Sequence, residues 1–139
     1  MPRAYTEDYA GWVEDTARAI EDGRFSEIGR TALADEVRDL GLAERRELTS
    51  GLRVLLMHML KTKYQPERES RSWQVTIRVQ RKHLGKFLRQ SPSLRPELPE
   101  LLSDAYDNAR IEAANETDID MLPETCEWGI EEVLAEKTG

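Results

Sequence analysis

Residues 52–73, LRVLLMHMLKTKYQPERESRSW, constrain this chain more than any other stretch. An almost wholly apolar run, with one histidine among leucines and methionines, joins a basic segment through Pro66. Leu48, Leu52, Leu55, Leu56 and Met59 recur at helical spacing and make one face. Val54, Met57 and Leu60 spread the apolar surface around the cylinder. Such a helix belongs at the centre of a bundle. Pro66 ends it, because proline lacks a donor and disfavours helical backbone at the residue before it.

The remaining segments also read with helical period, and none alternates as a strand would. A first helix starts near Thr6 as N-cap, with Tyr5, Tyr9, Trp12, Val13, Thr16 and Ile20 as its stripe and Gly23 as its stop. A short second helix covers 31–40, with Leu33, Val37 and Leu40 inward and Gly41 ending it. The central helix then covers 43–64. A fourth, over 72–90, buries Trp73, Ile77, Gln80, Leu84, Phe87 and Leu88 and turns Arg71, Arg78, Lys82, Lys86 and Arg89 outward. Ser91-Pro92-Ser93 and Pro96 mark a turn. A fifth helix over 96–116 points Leu98, Leu101, Leu102, Ala105 and Ala109 inward and Glu100, Asp104 and Asp107 outward. A loop over 117–128 leads to a short last helix with Ile130, Val133 and Leu134. The expected architecture is all-α, one domain over 1–139, a bundle of about four main helices with a short C-terminal helix.

Composition excludes several classes. At 139 residues with 34% charged and 39% hydrophobic residues, the chain suits one folded domain rather than a disordered one. Cys126 is the single cysteine, so no internal disulfide is available. No apolar run approaches the ~18 residues of a membrane span, and the start MPRAYTEDYAGW lacks a signal-peptide pattern. A cytoplasmic protein with no membrane contact is expected. The net charge of −7 is segregated. Residues 1–60 carry 8 Lys/Arg and 12 Asp/Glu; residues 61–95 carry 10 against 2; residues 96–139 carry 2, Arg110 and Lys137, against 13. Faces so separated attract one another or a charged partner.

A series of landmarks along the chain resembles a family of small bacterial proteins known as a domain of unknown function, the twenty-ninth of its numbered series. They are Asp8-Tyr9 with Trp12, Gly23-Arg24-Phe25, Asp35-Glu36-Val37, Leu40-Gly41 and Glu44-Arg45-Arg46-Glu47-Leu48. The most specific stretch runs from Leu55-Leu56-Met57-His58-Met59-Leu60-Lys61 through Tyr64-Gln65-Pro66-Glu67-Arg68 to Ser70-Arg71-Ser72-Trp73. Ser91-Pro92-Ser93-Leu94-Arg95-Pro96, Ala105-Tyr106 and Ala109-Arg110 complete it. The resemblance implies an all-helical bundle and brings no activity, cofactor or partner with it.

Chemistry-bearing candidates are few. Glu36 and His58 would form an acid/base couple if their helices touched, since a carboxylate fixes the imidazole tautomer and raises its pKa. Tyr106 and Arg110, on adjacent turns, would add a hydroxyl and a cation. The bland alternative is a His58 that only satisfies buried polarity. No metal-ligand spacing occurs among the two histidines and one cysteine, and no phosphate loop or nucleophile elbow is present. No metal or cofactor is therefore expected. The strongest surface signal is Arg71, Arg78, Lys82, Lys86 and Arg89, extended by Lys61, Lys63, Arg68 and Arg81. The preferred reading is a non-catalytic interaction or accessory domain, with a protein partner or a second copy meeting this face. Nucleic-acid binding through the same face is the alternative, weakened by an acidic net charge and by aromatics placed on the buried stripe. An uncharacterised enzyme or ligand site around Glu36 and His58 ranks third.

Overall fold

The computed structural model describes residues 3–119 and 121–135; Lys137 of the charge count lies outside them. Five α-helices follow one another: α1 (Tyr9–Glu21), α2 (Arg30–Tyr64), α3 (Arg71–Gln90), α4 (Leu98–Thr117) and α5 (Ile130–Leu134). Short 3-10 turns at Phe25–Glu27, Pro66–Arg68 and Pro92–Glu97 connect them. Among the described residues there is no strand, and the class is all-α. The chain forms two compact units, Met1–Ala43 and Glu44–Gly139.

Local chemistry sets most of the ends. Asp8, not Thr6, caps α1, its carboxylate accepting from the Gly11 amide at 2.9 Å. Gly23, at φ +73°, turns the chain out of α1. The Arg24 amide reaches back to the Ala19 carbonyl at 2.8 Å, closing the helix end with a left-handed residue that glycine adopts without steric cost. Ser70 caps α3 through its hydroxyl, which accepts from the Trp73 amide. Asp118, at φ +57°, follows α4.

The expected break at Gly41 does not occur. The helices read as 31–40 and 43–64 are one 35-residue helix, α2. A glycine inside a helix costs roughly 1 kcal/mol but ends it only by adopting positive φ, which Gly41 does not. The LAERREL run that follows is rich in strong helix formers and carries the helix onward.

In the first unit, Trp12, Thr16 and Ala19 of α1 are buried. Tyr5 stands edge-on to Trp12 at 4.9 Å between ring centroids, and Tyr9 stacks near it at 6.2 Å. Val37 and Leu40, expected inward, are 58% and 66% exposed. The inward position on this stretch of α2 is taken by Glu36, half-buried where Tyr5 and Tyr9 donate to it.

The second unit holds the main core. Leu48, Leu52, Leu55, Leu56, Met59 and Leu60 of α2 meet Leu84 and Leu88 of α3 and Leu98, Leu102 and Tyr106 of α4. Each fully buried leucine contributes about 1.5–3 kcal/mol relative to exposure. Gly51 allows α3 to come close, since a Cβ there would lie 2.8 Å from Leu84 Cδ2. Ala105, Ala109 and Ala113 form a short-chained buried row along α4. Val133 of α5 is fully buried, and the Arg81 guanidinium donates to its carbonyl at 2.9 Å.

Candidate functional site

Glu36, His58 and Tyr106 are engaged separately. Glu36 and His58 stand on one helix rather than on two that touch. The Glu36 carboxylate accepts from the hydroxyls of Tyr5, at 3.0 Å, and Tyr9. It holds both phenols above their usual pKa by stabilising the protonated form. His58 Nδ1 lies 2.8 Å from the Val54 carbonyl, one turn back in α2. A carbonyl only accepts, so Nδ1 is the donor of this bond. Tyr106 is buried and donates to the Pro123 carbonyl at 2.5 Å, tying α4 to the loop before α5. Burial pushes its phenol up to about 12. Arg110 is half-buried on the next turn. The structure thus keeps Tyr106 and Arg110 adjacent but gives Glu36 and His58 partners of their own.

A cavity of about 380 Å³ opens between α4 and the loop before α5, with Asp107, Glu124, Cys126 and Trp128 on its walls. Burial raises the Cys126 thiol, whose Sγ lies 3.3 Å from the Trp128 carbonyl. This keeps the sulfur protonated and poorly nucleophilic. Among the described residues, no three His, Cys, Asp or Glu side chains gather as a metal site.

The charged surfaces are better defined. Acids of the C-terminal third are met mainly by α2. Arg45 pairs with Glu97 at 2.6 Å, Arg53 with Glu112 at 2.6 Å and Lys61 with Glu116 at 2.8 Å. Lys63 pairs with Glu127, which also accepts from Tyr64. The Lys63 ammonium and the Tyr64 hydroxyl hold the Glu127 carboxyl below its usual range. Arg45 does the same for Glu97. Lys61, its side chain only 8% exposed, also lies 4.7 Å from the Trp73 ring centroid. Arg81 is spent on the carbonyls of α5. Lys61, Lys63 and Arg81 therefore do not extend a free basic surface, although the sequence grouped them with one.

What remains is the outer face of α3. Arg71, Val75, Arg78, Val79, Lys82, Lys86 and Arg89 are all exposed. Their spacing places them within about 100° of arc on a 3.6-residue helix. Among the described residues, none of the five cations has an ion-pair partner, and α3 contains no acid. Trp73, Ile77, Leu84, Phe87 and Leu88 turn the other way, half-buried or buried. Sequence reasoning found this face through its periodicity. It missed Val75 and Val79, whose alternation with the cations was legible in the same wheel.

No curated protein and no solved structure matches the chain. The model of one family covers residues 4–138. The chain therefore belongs to the family described as Domain of unknown function DUF29.

Proposed function

We propose that the protein is a non-catalytic docking module in the cytoplasm, and that the outer face of α3 receives an acidic protein surface. The observation that carries this reading is a row of five exposed cations that have no ion-pair partner among the described residues, on a helix without a single acid. Paired cations elsewhere on the chain have their charge met within the fold; these do not. An uncompensated single-sign face raises the encounter rate with an oppositely charged surface and rejects like-charged ones. Val75 and Val79 give it apolar contact area of the kind a protein partner covers. A phosphate backbone would use only the cations.

The test compares wild type with the Lys82→Glu, Lys86→Glu double variant as immobilised baits in native lysate at ~50 mM salt, where exposed charges act over more than ~10 Å. The reading expects proteins held by wild type, released by rising salt and absent from the variant. An unchanged protein set on the variant contradicts it. Nucleic acid bound in place of protein, with a log–log salt slope near −4 for about five phosphate contacts, selects the other polyanion.

A further inference from the structure

We infer that the acidic surface received by α3 is the outer face of α4 on a second copy of this chain. The inference rests on the docking role proposed for α3 and names its partner.

The α4 face is the counterpart of the α3 face in charge, length and order. Glu100, Asp104, Asp107 and Ile111 recur at four-, three- and four-residue intervals, so they share one side of α4, and all four are exposed. Among the described residues, Glu100, Asp104 and Asp107 have no ion-pair partner, because α2 engages Glu97, Glu112 and Glu116 instead. Both helices are 20 residues long.

The order of residues selects one orientation. Along α3 the exposed row runs Arg71, Val75, Arg78, Val79, Lys82, Lys86, Arg89, so both valines lie in its first half and its second half is wholly cationic. Along α4 the acids come first and Ile111 follows. Laid antiparallel, Val79 faces Ile111, Lys82 faces Asp107, Lys86 faces Asp104 and Arg89 faces Glu100. The steps on α3 are three, four and three residues; those on α4 are four, three and four. The two rows therefore stay in step to within about 1.5 Å, one residue of helical rise. A parallel arrangement could bring Lys82, Lys86 and Arg89 to Glu100, Asp104 and Asp107 in turn, but it would carry Ile111 past the end of α3 and leave it without Val79; only the antiparallel one pairs the charges and the apolar residues together. Val79 is 54% exposed and Ile111 is 68% exposed, so each has surface to lose on contact. Within one copy both faces point to solvent and do not meet.

The contact joins two different faces, so it closes as a two-fold dimer where both pairs of faces engage the same partner and otherwise forms a ring or continues as a chain. It is small and charge-driven, which gives a weak, salt-sensitive association rather than an obligate dimer.

Sedimentation velocity on the full chain tests this at ~50 mM and ~500 mM salt, over a concentration series. Wild type is expected to associate at low salt, with the apparent association constant falling at least about tenfold at high salt. Lys82→Glu with Lys86→Glu should be monomeric, and so should Asp104→Lys with Asp107→Lys. An equimolar mixture of the two variants should associate again, because each then offers the charge the other needs. That recovery also shows both variants to be folded. Wild type that stays monomeric at low salt overturns the inference, while the docking role of α3 stands if the bait experiment still shows a foreign acidic protein lost with Lys82 and Lys86. A mixture that stays monomeric, or association that survives in both variants, overturns the pairing of these faces.

Discussion

Single side chains in this fold are decided by which neighbour reaches them first. His58 is the clearest case. Its position on an apolar helix invited an acid/base reading, but the nearest acceptor is the Val54 carbonyl in its own helix, and Nδ1 takes it. That partner was legible as a possibility of helix geometry, since the carbonyl four residues back lies within reach of a histidine ring. The partners of Glu36 and Tyr106 were not, because they come from other segments of the chain. Tyr106 yields a pH prediction. Its phenol is raised from about 10 in the unfolded chain to about 12 when folded. The unfolded state therefore loses its proton first. The stabilisation is whole below pH ~10 and is lost as pH rises from there through about 12. Relative to Tyr106→Phe, wild type should gain about 0.5–1.5 kcal/mol at neutral pH from the bond to Pro123. That advantage should shrink above pH ~10. Urea titrations of both proteins across that range check it; an advantage that grows with pH contradicts it.

At the scale of elements, the ends with a stereochemical cause were readable. Pro66 follows α2 within two residues, Gly23 stops α1, and Ser91-Pro92 separates α3 from α4. Gly41 was misread because glycine permits a left-handed turn without requiring one, and the surrounding helix formers prevail. With that break removed, the apparent short second helix became the first turns of α2, and Val37 and Leu40 became exposed. Gly51 has the opposite character. It stays helical like Gly41, but its missing side chain is needed for packing, with Leu84 Cδ2 occupying the space a Cβ would approach at 2.8 Å. Gly51→Leu should therefore overpack the α2–α3 contact and cost about 1–3 kcal/mol, measured as a lowered thermal midpoint. An unchanged thermal midpoint for Gly51→Leu would refute that packing role.

Over the whole molecule, the net charge of −7 conceals a division of labour among the cations. The segregation along the chain was plain in the sequence, but its allocation was not. Arg45, Arg53 and Lys61 find acids 52 to 59 residues away, distances at which sequence spacing carries no signal. Those pairs take up three of the 13 acids of residues 96–139 and, among the described residues, leave the cations of the α3 face without an ion-pair partner. The unpaired cations of α3 are thus what remains after α2 has spent its own charges.

The most direct measurement is acylation footprinting of the lysines in native lysate, at ~50 mM and ~500 mM salt, bracketing the range over which exposed charges are screened. Lys82 and Lys86 should be protected at low salt and reactive at high salt, whereas Lys61, sealed against Glu116 and Trp73, should be slow in both. Lys82 and Lys86 reacting equally fast at both salt concentrations would contradict the account.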